Sequence, residues 1–352
     1  MTLRQVEGLP GPPWEREPAG TFEKLTVESE LLAGNPLGDP ARRPLYVYMP
    51  PGVDRSSGDR YPSVYVIQGM TGQLDMWLGR SAFEPTMVER IDAAFAAPGA
   101  PRAVVVFVDA WTSHGGSQFV NSVATGRYMD YLCDEVVAFV DATYPTIAGR
   151  DHRGITGKSS GGYGAMMVPM LRPDVFGALA SHAGDALFEV CYQPEFPQTA
   201  RILRDRFEGS YDVFWERLRS ADRFDFGLFG HPLDTYAMAA SYSPDEASPG
   251  KVILPIDVDT GRLYPDVWDR WLQWDPVRVA PQRLEALGSM RHIYLDAGRS
   301  DDYYLDLGAT AFSKELKSGG IDHELVLFDG THGGLQYRYP KAIVDMARAL
   351  DG

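Results

Sequence analysis

The sequence predicts an α/β protein with a mostly parallel central sheet flanked by helices and interrupted once by an insertion. Three observations predict it. Apolar runs of strand length, at 63–68, 103–108 and 292–298, alternate with stretches of helical period. That alternation stops near residue 186 and resumes after residue 287. Between residues 153 and 171, a strand-like run, a glycine-rich turn and an apolar run of helical length follow one another without a break.

Taken in order, residues 1–20 are rich in Pro and Gly from residue 8 and read as an irregular arm. Strands are expected at 21–32 and 43–49, joined through the turn-forming residues Gly34, Asn35, Pro36, Gly38 and Asp39. The run 63–68 is apolar enough for a central strand and ends at Gly69-Met70-Thr71-Gly72. Another buried strand, 103–108, ends at Asp109-Ala110-Trp111. The polar loop 112–126 after it is long, and loops at the carboxyl ends of parallel strands host ligands, so it reads as a site wall. Residues 128–142 place Tyr131, Leu132, Val136 and Phe139 at helical spacing. A strand at 153–156, a helix at 165–171 and a strand at 177–183 follow, the last running into Gly184-Asp185.

From 186 to 287 the rhythm breaks, with helical patterns at 199–206 and 212–220, a hairpin pattern at 251–261 and a Trp-rich helix at 266–274. A break between two halves of one regular pattern is an insertion into a single domain spanning 1–352, not a second domain, and it is expected to fold as a cap over the cleft. The pattern then resumes with a strand at 292–298, a helix at 305–317, a strand at 324–328 and a final helix at 336–350.

Bulk composition narrows the function. The chain has 352 residues, a formal net charge of −15, and 44% hydrophobic and 23% charged residues. Those proportions are ordinary for a globular protein, while the negative charge argues against nucleic acid or an anionic membrane as partner. No apolar run reaches the roughly 18 residues of a membrane span, and the first residues lack the apolar core of a signal peptide. Two cysteines, Cys133 and Cys191, make neither a disulfide framework nor a metal pattern, and Cys133 reads as a buried thiol. A cytoplasmic location is expected, with a small-molecule partner; homo-oligomerisation is left open.

The chemistry centres on Thr156-Gly157-Lys158-Ser159-Ser160-Gly161-Gly162-Tyr163-Gly164. Strand, Gly-x-Ser-x-Gly and helix in that order form a nucleophile elbow, in which a tight turn exposes the Ser159 hydroxyl and small neighbours are compulsory. The opening helix aims free backbone N–H groups at the same spot. A serine hydroxyl needs a base to take its proton and an acid to orient that base. In an α/β-hydrolase the acid follows the serine in sequence and the histidine comes last.

Of the seven histidines, 152, 182, 292 and 323 sit at or in expected strands, which favours structural roles. His332 lies in Asp329-Gly330-Thr331-His332-Gly333-Gly334, directly after the last strand, where the base belongs. The acid belongs in Gly298-Arg299-Ser300-Asp301-Asp302-Tyr303; Asp301 is favoured, with Asp302 as a helix N-terminal residue and Asp185 a weaker candidate. Two oxyanion donors are expected, the backbone N–H groups of Ser160 and Met70.

These motifs carry a resemblance. The Gly-Lys-Ser-Ser-Gly-Gly-Tyr-Gly-Ala elbow, the Ser-His-Gly-Gly-Ser-Gln-Phe-Val-Asn-Ser loop, the Gly-Arg-Ser-Asp-Asp-Tyr turn and the Gly-Thr-His-Gly-Gly turn are similar to those of the putative-esterase family of α/β-hydrolases. That family includes esterase D-like carboxylesterases, feruloyl, acetyl-xylan and enterochelin esterases, and mycolyl transferases. The resemblance covers the chain from about Thr21 onward and implies an α/β-hydrolase fold. It supports Ser159, Asp301 and His332 as a triad, with Met70 and Ser160 as oxyanion donors. The 186–287 insertion is longer than in compact members and leaves the substrate class open.

Other residues have a substrate-lining reading beside a plainer one. Gly69 and Trp111 end strands, and Asp185 either lines the cleft or caps. Ser117, Gln118 and Asn121 either bond substrate or satisfy their own loop. Trp271, with Trp268 and Trp274 at every third position, lines a pocket or packs on the core, and core packing is favoured. Lys158 reads as a solvated neighbour of the nucleophile. Gly-Lys-Ser is not a phosphate loop, because the first glycine of that motif would fall on His152. No cofactor or metal is implied. The expected activity is hydrolysis of small, aryl or sugar-linked carboxylic esters, with acyl transfer or a non-catalytic binding role as alternatives, and with rate falling below about pH 6 as a histidine base protonates.

Overall fold

A computed structural model describes residues 17–351, so most of the arm read at 1–20 lies outside the described residues. Eight strands form one sheet: β1 (Thr21–Glu28), β2 (Arg42–Met49), β3 (Ser63–Ile67), β4 (Val104–Val108), β5 (Arg153–Ser159), β6 (Ala178–Gly184), β7 (His292–Gly298) and β8 (Glu324–Phe328). In space they run β1, β2, β4, β3, β5, β6, β7, β8. Only β2 is antiparallel to its neighbours; every other adjacent pair is parallel. Two adjacent strands inside the sheet, β3 (Ser-Val-Tyr-Val-Ile) and β4 (Val-Val-Val-Phe-Val), are buried at every position. Continuous apolar strands of that kind belong in a sheet covered on both faces.

The longer helices are α1 (Met87–Phe95), α2 (residues 128–143, with a π turn over Tyr131–Val136), α3 (Ser160–Leu171), α4 (Phe196–Arg206), α5 (Tyr211–Ser220), α6 (Phe226–Tyr242), α7 (Pro265–Leu272), α8 (Leu305–Ser318) and α9 (Tyr339–Leu350). One sheet face packs Val64, Val66, Val105 and Phe107 against Ile91 and Phe95 of α1 and Ile343 and Met346 of α9. The other packs Tyr65, Ile67, Val106, Ile155 and Leu179 against α2, α3 and α8. Helix α3 is buried at every position but its last, as a helix apolar all round must be. The insertion holds α4 to α7, and Leu203, Phe207, Phe214, Trp215, Phe229, Leu233 and Tyr236 of α4 to α6 and the turn after α4 make a core of their own.

Several elements differ from expectation. β1 stops at Glu28, where Ser29 turns the chain: its hydroxyl takes the Leu32 N–H and donates to Glu135. The 251–261 stretch forms only single bridges, Pro244 with Val252 and Ile256 with Leu263, because Asp257 accepts the Thr260 N–H and hydroxyl and folds the stretch into a turn. The final helix proper starts at Tyr339, behind a 3-10 turn at Leu335–Tyr337. Helices α1 and α6 have no counterpart in the sequence pattern. A capping box starts α1: Thr86 accepts the Glu89 N–H while Glu89 accepts that of Thr86. Helix α6 carries Pro232 and is buried almost all round beyond it, so it shows no clean amphipathic period. Among the described residues no helix is long and apolar enough to cross a membrane.

Candidate active site

Strand order reverses direction around β3: the chain goes outward to β4, then returns past β3 to β5. In open α/β sheets, ligands bind off the carboxyl ends of the strands at such a switch. The register pairs Ile67 of β3 with Gly157 of β5, so the segments leaving these strands lie side by side.

Ser159 ends β5 with φ +58° and ψ −126°, a conformation L-residues rarely adopt. Such a residue costs about 1–3 kcal/mol and persists only where its surroundings fix it. They do so here by contact. A Cβ on Gly157 would lie 2.5 Å from the Gly161 carbonyl, and one on Gly161 would lie 2.6 Å from the Ile67 oxygen. The turn therefore closes only on glycine at both places. Ser160 opens α3, so its backbone N–H has no acceptor within the helix.

The segment after β3 presses on this turn, since a Cβ on Gly69 would sit 2.9 Å from the Lys158 oxygen and 3.5 Å from the Ser159 Cβ. It is braced by Gln68, which donates to the Gly72 oxygen at 2.6 Å, and by the Thr71 N–H on the Gly115 oxygen at 2.6 Å. The Met70 N–H donates to no protein acceptor among the described residues.

Asp301 and His332 follow β7 and β8. Their loops are tied by backbone: the Ser300 N–H donates to the Gly330 oxygen at 3.0 Å, and a Cβ on Gly298 would collide with that oxygen at 2.4 Å. His332 Nδ1 lies 2.9 Å from Asp301 Oδ2. The other oxygen, Oδ1, accepts the Tyr303 N–H at 2.9 Å and the Leu305 N–H at 3.3 Å, and the Asp301 side chain is fully buried. Asp302 is exposed and accepts the His332 backbone N–H at 3.3 Å, so it holds the loop that carries the imidazole. The Tyr303 ring stands edge-on to His332 at 4.9 Å.

A cavity of about 580 Å³ opens over these loops and is lined by Gly69, Met70, Ser159, Ser160, Asp185 and His332. The remaining sequence-proposed residues lie elsewhere. Asn121 is exposed, and its Oδ1 takes the Met129 and Asp130 N–H groups at 3.1 and 3.2 Å, at the start of α2. The buried Ser117 hydroxyl accepts the Phe119 N–H within its own loop. Trp111 borders a separate surface pocket, its carbonyl accepting from Arg43 and from the Tyr128 hydroxyl. Trp271 is fully buried against Phe196 and Tyr192, its Nε1 donating to Ser243 at 2.8 Å. In each case a local backbone or core partner takes the polar atom that was offered to substrate.

The cavity also has walls the sequence reading missed. Lys158, read as solvated, lines it, and burial pushes the ammonium below its ordinary range against the pull of Asp301, Asp185 and Asp302. From the insertion come Glu195, His231 and Asp234, with His231 Nδ1 at 3.4 Å from Glu195 Oε1. Burial, with the charge of Asp185, raises both carboxyls above their usual range; the charge of Glu195 adds to the rise at Asp234, while a hydrogen bond with Asp234 works against the rise at Glu195. Phe224 and Phe226, both half exposed, stand at the same opening.

Comparison with known proteins fits this geometry. The family model described as "Putative esterase" matches residues 40–339. The chain belongs to that esterase family. As a member it is a carboxylic ester hydrolase. Among solved structures, a ferulic acid esterase is similar at 16% identity and TM-score 0.61, covering 94% of this chain and 98% of its own. An S-formylglutathione hydrolase from Agrobacterium tumefaciens is similar at 16% identity and TM-score 0.56, covering 96% and 98%. The serine hydrolase FphF of Staphylococcus aureus is similar at 14% identity and TM-score 0.56, covering 95% and 99%. At such identities these esterases speak to the α/β-hydrolase fold. No curated protein matches the sequence.

Proposed function

We propose that the esterase works through Ser159, His332 and Asp301 by way of an acyl-enzyme. The observation that carries this reading is the His332–Asp301 pair at 2.9 Å on the cavity into which the strained Ser159 turn opens. Asp301, buried and already accepting two backbone N–H groups, keeps a proton on His332 Nδ1 and leaves Nε2 as the base. Nε2 takes the Ser159 proton as the hydroxyl oxygen attacks the ester carbonyl. The tetrahedral oxyanion is received by the Met70 and Ser160 N–H groups. His332 then protonates the leaving alkoxide. Water gives its proton to the same nitrogen, attacks the acyl-enzyme, and releases the acid as Ser159 regains its proton.

Short acyl esters of good leaving groups are the expected substrates, with aryl and sugar-linked esters the natural classes to assay. The relatives described as ferulic acid esterases and S-formylglutathione hydrolases add feruloyl esters and a thioester to that panel. The test is labelling with a fluorophosphonate probe and turnover of the panel by wild type and Ser159→Ala. One label per chain on Ser159, and activity lost in the variant, support the reading; unlabelled Ser159 or an active variant ends it. Added acceptor alcohol distinguishes hydrolysis from acyl transfer by the product formed.

A further inference from the structure

Asp185 lies one residue past β6, more than nine-tenths buried, on the wall of the cavity. Its Oδ2 collects three donors from three parts of the chain. The Tyr192 hydroxyl, from the insertion, approaches to 2.9 Å. The Gln118 amide, from the 112–126 loop, lies at 3.1 Å. The third is the Ser160 hydroxyl at 3.3 Å. The partners lie 7, 67 and 25 positions from Asp185 along the chain, and left-handed backbone falls on Gln118 and on close neighbours of Gln118 and Asp185. Gln118 and Phe119 have φ of +51° and +54°, and Ala183 and Leu187, two residues either side of Asp185, have +42° and +60°. The start of the insertion is pinned by Asp275, which accepts the Leu187 and Phe188 N–H groups at 3.0 and 2.9 Å. Tyr192 in turn is wedged among Phe188, Tyr242 and Trp271, so its hydroxyl comes to Asp185 on a rigid support.

We propose that Asp185 is a positioning residue for catalysis: by gripping the Ser160 hydroxyl it holds the first turn of α3, and with it the Ser160 N–H, where the oxyanion forms. Tyr192 and Gln118 hold Asp185 for that purpose. The proposal rests on Ser159 being the nucleophile. It gives the insertion a part in rate as well as in binding, since Tyr192 belongs to it.

The task calls for an acceptor oxygen and not for a charge. A full negative charge beside a developing oxyanion opposes it, and burial already pushes the Asp185 carboxyl up, against the donors and His332 that stabilise its anion. Asparagine supplies the same oxygen. Misplacing one oxyanion donor acts on the transition state and spares ground-state binding, so the loss belongs in kcat.

The experiment is steady-state kinetics on one aryl acetate for Ser160→Ala, Tyr192→Phe, Asp185→Leu, Asp185→Asn and the Ser160→Ala/Tyr192→Phe double variant. Ser160→Ala and Asp185→Leu are expected to lower kcat about ten- to a hundredfold at unchanged KM. Asp185→Asn should stay within about threefold of wild type, and the double variant should cost no more than its worse single. Ser160→Ala with wild-type kcat, additive losses in the double variant, or an Asn variant as impaired as the Leu one would overturn the proposal. Should Asp185→Leu fail to fold, the two variants that each remove one hydroxyl carry the test. Failure of the nucleophile reading is seen separately, as activity retained in Ser159→Ala.

Discussion

His332 and Asp301 meet at 2.9 Å because their two loops are joined backbone to backbone, through Ser300 and Gly330, before either side chain is placed. The imidazole is held on the carboxylate by that scaffold and by the Asp302 bond to the His332 N–H.

Replacing Asp301 by Asn is accordingly expected to favour the wrong tautomer while leaving the fold intact. We expect kcat for an aryl acetate to fall about 10⁴-fold. Asp302→Asn weakens only a loop bond and should cost less than about threefold. Equal losses in the two variants would move the proposed acid role from Asp301 to the pair.

Gly157→Ala tests the steric basis of the elbow. The new methyl would lie 2.5 Å from the Gly161 backbone, with no flexible side chain to yield. Overpacking costs typically 1–3 kcal/mol, and more where backbone must move. Denaturant unfolding should show at least about 2 kcal/mol of lost stability, together with loss of activity. A variant as stable as wild type would contradict the contact.

The buried carboxyls of the insertion make stability depend on pH with a definite sign. Glu195 is raised from 4.5 to about 7, chiefly by burial, beside Asp234, Asp185 and His231. A carboxyl that binds its proton more tightly when folded favours the folded state at low pH, and that advantage is lost as pH rises from about 4.5 to about 7. Glu195→Gln should flatten this part of the profile and be relatively more stable than wild type at pH 8. A slope unchanged by the substitution would remove Glu195 as its source.

Trp271→Phe separates packing from substrate contact. The indole is fully buried and bonds Ser243; it packs behind Tyr192 and is not itself among the residues that line the cavity. Stability should fall by about 1–3 kcal/mol while KM for aryl esters holds; a change in KM alone would place the ring in the pocket.

Much of this was legible in the sequence where short-range physics decides. The strands at 292–298 and 324–328 were read to the residue, because each is an apolar run between polar, turn-forming neighbours. The elbow was legible because its glycine spacing is a steric demand visible in one dimension. The sequence favours Asp301 over Asp302 without deciding between them, since the decision depends on a turn in which Asp301 caps two N–H groups. Glu195, His231 and Asp234 could not be placed: they sit in ordinary helical stretches, and only the fold of the insertion turns them toward Ser159. Asn121 and Ser117 follow the plainer of their two readings, being polar residues in a glycine-rich loop whose side-chain oxygens accept from nearby backbone N–H groups.

The sheet's last strand bears on how the enzyme ages in heat. β8 pairs with β7 alone and is nowhere fully buried, yet the imidazole hangs from its end. Margins of a sheet open at lower free energy than its middle. Warming should therefore silence turnover some degrees before the calorimetric transition, and cooling promptly should return it, because what frays first is the hinge of His332 and not the turn that holds Ser159.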